Sequence, residues 1–170
     1  MRKFYLIALI IIALTVTACG GVDLENLDLN KSFSFTAQLE YGGRSSAAHF
    51  TRSAPGEWSG TLTDPYALQG ISIIYAPPEM SVSYSGFSAD HSDTPSDINV
   101  TAFVMFCALE SAFKGDGITV TSGKNFIEIT GRTDGDTFIL RLDKDGFPMM
   151  LDVPNRQLKI AFSEVTVRDF

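Results

Sequence analysis

The stretch DINVTAFVMFCALESAFK, Asp97 to Lys114, restricts the fold more than any other part of this 170-residue chain. Ala102, Phe106, Leu109 and Phe113 recur at helical spacing, which predicts an α-helix. Ser96 or Asp97 stands where a helix cap belongs, and Gly115 supplies the stop. Phe103, Val104, Met105 and Cys107 broaden the apolar stripe until it runs nearly all round. A helix apolar on most faces must be covered on more than one side. The rest of the chain therefore has to wrap it. Glu110 and Lys114, four residues apart, are expected to pair on the polar face that remains.

What surrounds this helix reads as strands. Phe33 to Tyr41 alternates strictly, with Phe33, Phe35, Ala37, Leu39 and Tyr41 on one face and Ser34, Thr36, Gln38 and Glu40 on the other. That is the pattern of a half-buried strand. Gly42-Gly43 then signals a turn, with Arg44 to Arg52 pairing back. Glu57 to Thr63, Gly70 to Tyr75 and Met80 to Tyr84 complete a first block of five strands. After the helix come Ile118 to Thr121, Asn125 to Gly131, Asp136 to Leu142, Met149 to Val153 and Leu158 to Val167. Short turns at Asp134-Gly135 and Asp145-Gly146 make the neighbours antiparallel. The expected fold is mainly β: a curled antiparallel sheet, an incomplete barrel of about ten strands, with one inserted apolar helix over its concave face.

The first residues carry an address. Arg2 and Lys3 precede an apolar run from Phe4 to Leu14, and Val16-Thr17-Ala18 leads into Cys19. Basic, apolar, then small is the order of a secretory signal peptide, and the run is too short for the roughly 20 residues of a membrane span. Val-Thr-Ala-Cys at its end resembles the bacterial lipobox. That resemblance implies cleavage before Cys19, lipidation of its thiol, and a membrane anchor through the attached chains. Residues 1–18 are then the signal peptide, 19–31 a lipidated tether, and 32–170 the antiparallel β domain with its helix at about 97–114. Gly20 in place of an acid is compatible with the outer membrane or a Gram-positive cell surface, so the expected location is the cell envelope outside the cytoplasm.

Loss of residues 1–18 removes Arg2 and Lys3 and leaves 11 basic against 20 acidic residues, a net charge of −9. An acidic surface repels phosphate backbones, so no nucleic-acid partner is expected. With Cys19 acylated, Cys107 has no cysteine partner, and the domain must be held by its core.

Three stretches resemble the bacterial lipoprotein-localisation family, the periplasmic lipoprotein carrier and its outer-membrane acceptor. Arg52-Ser-Ala-Pro55-Gly56-Glu-Trp58, followed by Pro65, looks like that family's RPG-x-x-W…P passage. The central helix after a block of strands is the second. The third is the ending FILRLDKDGFPMMLDVPNRQLKIAFSEVTV, with Gly-x-Pro in a hairpin and a final strand. Gln69-Gly70-Ile71 departs from the Asp-Gly-aromatic strand that often follows the proline there. The resemblance implies an incomplete barrel whose helix plugs an apolar cavity for acyl chains.

No reaction is expected. Ser111-Ala-Phe-Lys114 has the S-x-x-K spacing of penicillin-recognising enzymes, but it ends a helix where theirs begins one, and no K-T-G follows. Asp143-Lys-Asp145-Gly146 lacks the remaining oxygen ligands of a calcium loop. His49 and His91 have no ligand-spaced companions, so neither a metal nor any other cofactor is expected. Cys107 reads as a buried thiol. Asn30-Lys-Ser32 and Asn99-Val-Thr101 fit a glycosylation sequon, which a bacterial lipobox discounts. Two functions are expected to compete. One is an anchored envelope lipoprotein binding a lipid, a lipoprotein acyl chain or another apolar ligand in the concave face, with Trp58, Phe103, Phe106, Leu109 and Phe113 as candidate contacts. The alternative is a structural or interaction lipoprotein in which those side chains pack a solid core and hold no ligand. A continuous apolar cavity between helix and sheet discriminates them.

Overall fold

A computed structural model of the chain describes residues 29–84, 87–90, 97–133 and 135–167. The signal segment, Cys19, the start of the tether, His91, Ser96 and Asp134 lie outside the described residues. Among the described residues there are eleven strands and one long helix. They are β1 (Phe33–Tyr41), β2 (Arg44–Ala54), β3 (Glu57–Asp64), β4 (Ser72–Ala76), β5 (Glu79–Tyr84), β6 (Phe87–Asp90), α1 (Asp97–Lys114), β7 (Thr119–Ser122), β8 (Phe126–Thr133), β9 (Asp136–Asp143), β10 (Pro148–Val153) and β11 (Leu158–Val167). The strands form one antiparallel sheet, ordered β6-β5-β4-β3-β2-β1-β11-β10-β9-β8-β7, and it does not close into a barrel.

This order follows from short connections. Each strand pairs with its neighbour in sequence, and only β1 with β11 joins distant parts of the chain. The helix connects β6 to β7, which are the two outer edges. A single helix joining both edges has to cross the concave face, which is the covering that its apolar circumference requires. Ala102, Val104, Met105, Phe106, Ala108, Leu109, Ala112 and Phe113 are all buried. The helix packs most closely on β8 and β9. The expected sheet of about ten strands is found, with eleven strands among the described residues, and the helix follows the sixth strand, not the fifth. The missed strand, β6, is a four-residue edge, Phe-Ser-Ala-Asp, that pairs only with β5. So short a segment carries too little alternation to register.

Alternate residues of most strands enter the core, although edge strand β7 is exposed along its length. On β1 these are the predicted Phe33, Phe35, Ala37 and Leu39; on the far half of the sheet they include Ile127, Ile129, Phe138, Leu140, Leu142, Leu151, Ile160 and Phe162. Two glycines are demanded by aromatic rings lying across the neighbouring strand. Gly60 is the register partner of Phe50, and a Cβ there would stand 2.0 Å from Phe50 Cδ1. Gly131 is the partner of Phe138, and a Cβ would meet that ring at 2.5 Å. Backbone bare of a side chain lets a ring lie flat against the ladder.

Candidate functional site

The β1–β2 ladder supports two different regions under the helix. At its Phe33 end the space is filled. Arg52, the last inward residue of β2, is 1% exposed and meets Glu110 of α1, which is 4% exposed. Arg52 Nε donates to Glu110 Oε1 at 2.9 Å and Nη2 to Oε2 at 3.2 Å, a side-on, two-bond pairing. Trp58 Nε1 of β3 donates to the same Oε1 at 2.8 Å. Arg52 Nη1 donates to the carbonyls of Leu29 at 2.7 Å and Lys31 at 3.2 Å. The guanidinium also lies 4.9 Å from the Phe113 ring centre and 5.8 Å from that of Trp58. A buried ion pair is tolerated only when its remaining donors and acceptors find partners. Here the cluster ties β2, β3, α1 and the last residues of the expected tether into one node.

The expected exposed pairing of Glu110 with Lys114 is thereby corrected. Glu110 faces inward, and Lys114 is exposed at the helix end. Helical periodicity alone ranks a carboxylate as solvent-facing, and nothing local to the helix reveals a buried arginine 58 residues earlier. The signal that existed was Arg52 itself, which continues the inward alternation of β2.

Four of the five aromatic and aliphatic candidates pack around this node. Trp58, Phe106 and Leu109 are fully buried and Phe113 nearly so. Phe106 stacks with Trp58 at 5.4 Å and with Tyr75 at 5.3 Å, and meets Phe50 edge-on at 5.4 Å. Phe103, half-buried, stands edge-on to Tyr75 at 5.9 Å. Cys107, also half-buried, brings its Sγ within 3.5 Å of Tyr75 Oη.

Towards the Tyr41 end the inward side chains shrink, and a cavity of about 650 Å³ opens between β1–β4 and the first turns of α1. Its floor is Leu39, Ala48, Phe50, Leu62, Ile73 and Ala102, all buried. Exposed Arg44, Ser45 and Pro65 form its rim, with half-buried Tyr41, Ser46 and Leu68 just inside. Trp58, Phe103, Phe106, Leu109 and Phe113 are not among the lining residues. The small residues Ala48 and Ala102 make the room, and alternation does distinguish Ala from Phe. It does not show that no other side chain fills the gap they leave. The volume falls inside the range of about 300–1,000 Å³ typical of small-molecule clefts, and an apolar lining with few polar groups is their usual character.

The other motifs resolve as local structure. Asp143 Oδ1 accepts from the backbone N–H groups of Asp145 and Phe147, both at 2.9 Å, a turn closed on its own carboxylate. Ser111 is half-buried one turn before the helix ends. His49 points to solvent from β2. Among the described residues, no group of three His, Cys, Asp or Glu side chains is placed to hold a metal. Among the same residues, no helix is long and apolar enough to cross a membrane.

No protein-family model and no curated protein matches the chain. Solved structures do. An uncharacterised conserved protein of Thermus thermophilus matches with a TM-score of 0.54 at 11% identity, over 84% of this chain and 82% of its own. This likeness is one of fold. A LolA-superfamily protein of Nitrosomonas europaea aligns with a TM-score of 0.44 at 9% identity, over 86% of this chain and 90% of its own. MucB, in its complex with MucA from Pseudomonas aeruginosa, aligns with a TM-score of 0.46 at 14% identity, over 82% of this chain and 52% of that one.

Proposed function

We propose that this chain is an envelope lipoprotein, anchored through lipid on Cys19, whose curled sheet binds a lipid or similar apolar molecule. The observation that carries the ligand half is the 650 Å³ cavity with its apolar floor between helix and sheet. Burying an acyl chain there contributes about 0.8 kcal/mol per CH₂. The residues that would contact it are Leu39, Ala48, Phe50, Leu62 and Ile73. The anchor half rests on the basic, apolar and Val-Thr-Ala-Cys order of residues 2–19.

Native mass spectrometry of the protein purified from its host tests the first half. A co-purifying lipid, displaced by a fluorescent fatty-acid probe, is the expected result. A bare mass together with no probe binding would reject ligand binding. Metabolic labelling with a tagged fatty acid tests the second: the wild type takes up label and Cys19→Ser does not. Label on the Ser variant would reject lipidation at that site. The second reading is an interaction lipoprotein without ligand, favoured by the solid packing of Phe106, Trp58 and Tyr75. It is the reading left standing if the probe fails to bind.

A further inference from the structure

We propose that the cavity takes its ligand by a single linear alkyl tail, inserted end-on, and that the Phe50 ring is the stop that sets how long this tail can be. The proposal rests on the ligand-binding reading above and adds the shape of the ligand and the residue that measures it.

The slot runs along β2. Ser46, Ala48 and Phe50 line it in that order from mouth to floor, on one face of the strand. Ser46 and Phe50 are about 13 Å apart at 3.3 Å per residue. Leu39 of β1 and Leu62 of β3 flank β2, since Leu39 is the register partner of Ser46 and Leu62 that of Ala48. Their strands lie about 10 Å apart, two strand spacings. Two leucine side chains projecting from those strands, with carbons in contact at about 4 Å, leave the width of one alkyl chain over Ala48. Polarity follows the same axis. Ser45 and Ser46 stand at the mouth, and Leu62, Ile73 and Phe50 line the interior. A ligand polar at one end and apolar along a narrow tail is the complement of such a slot.

Phe50 closes the inner end. Across from it stand Gly60 of β3 and then Ile73 of β4. A Cβ on Gly60 would lie 2.0 Å from Phe50 Cδ1 and 2.4 Å from Cε1, so the ring occupies the place of a side chain at residue 60. It therefore lies across the strands, transverse to the slot. Behind it the Phe106 ring stands edge-on at 5.4 Å and the Phe35 ring at 5.9 Å, and Phe106 itself stacks on Trp58. A ring backed by close-packed aromatics does not yield to a longer tail without disturbing all of them. A tail whose terminal methyl reaches Phe50 has reached the end of the site.

The test uses the chain from residue 19 onward carrying Cys19→Ser, which keeps the whole described body. Saturated fatty acids from octanoate to stearate, and the monoacylglycerols with the same tails, displace a fluorescent fatty-acid probe. In the wild type each added methylene tightens binding about fourfold while there is room for it, and the gain stops at one tail length shared by both series. Phe50→Leu and Phe50→Ala carry that break to longer tails, Ala further than Leu. Leu68→Ala, at the mouth, weakens binding at every length and leaves the break in place. Circular dichroism checks the fold of each variant, and Phe50→Leu, which keeps an aliphatic side chain at the floor, carries the test if Phe50→Ala does not fold. A wild type with no break, or a break that stays put in Phe50→Leu, overturns the assignment of Phe50 and leaves ligand binding intact. Failure of every fatty acid and glyceride to bind overturns the ligand-binding reading itself.

Discussion

At one end of the β1–β2 ladder the facing pairs are Phe33 with Arg52 and Phe35 with Phe50; nearer the other they are Ala37 with Ala48 and Leu39 with Ser46. The backbone, the register and the helix overhead are shared. What differs is side-chain volume. Where the pairs are aromatic, rings from β3, β4 and α1 interlock with them, and a buried ion pair seals the end. Where the pairs are small, the same curvature leaves a cavity. A curled sheet thus fixes the separation between sheet and helix, and the residues on the concave face decide whether that gap is core or site.

Removing a ring from the filled region is the strongest way to challenge this contrast. Phe106→Ala leaves Trp58, Tyr75 and Phe50 facing a void and costs about 3–5 kcal/mol, read from urea unfolding. A loss under about 1 kcal/mol would mean that this region is as loosely filled as the cavity. Glu110→Ala strands the Arg52 guanidinium without its carboxylate and costs a similar amount, about 3–5 kcal/mol. A variant as stable as wild type in the same assay would show that the node contributes nothing.

Gly60→Ala pushes a methyl into the Phe50 ring at the boundary between the two regions. Overpacking of this kind costs about 1–3 kcal/mol. Because Phe50 also lines the cavity floor, probe binding weakens together with stability; a change in one alone would separate floor from core. Ala48→Leu adds volume where there is space for it. Its stability change stays within about 1 kcal/mol, below the usual overpacking penalty, while probe affinity falls. A full overpacking penalty would indicate that the cavity is closed to added atoms. The smallest effect is expected on the convex face, where Arg141 and Glu128 pair at 2.8 Å in partial exposure. Arg141→Ala changes stability by about 0.2–1 kcal/mol, and a larger loss would require packing of Arg141 on Phe126 to be counted with the core.

Much of the fold was readable because its two periods are clean. Strict alternation in Phe33–Tyr41 located the central strand and its inward face, and the apolar circumference of Asp97–Lys114 demanded a covering that the concave sheet provides. Edge strand β6 escaped because four residues, two of them polar, carry no periodic signal. The site was less readable. Large aromatics such as Trp58 and Phe106 attract attention as ligand contacts, yet bulk is what fills space, and the cavity lies where Ala48, Ala102 and Ser46 decline to fill it. Small residues in a strand look unremarkable until a register shows which others they face. Glu110 was misplaced for a related reason: its partner is distant in sequence, and helical spacing carries no information about tertiary pairing.

The described body meets the rest of the chain at Leu29, held by Arg52, and at Val167, the register partner of Phe33. Both points stand at one end of the central ladder. The Gly42-Gly43 hairpin tip and the cavity rim stand at the other, about 26 Å away along β1 at 3.3 Å per residue. The molecule therefore has a handle and a working end. A fluorophore, an affinity tag or a solid support attached at Leu29 or Val167 grips the handle and leaves the opening unobstructed. A surface that holds the described body at Leu29 faces the filled end, and the mouth looks away from it.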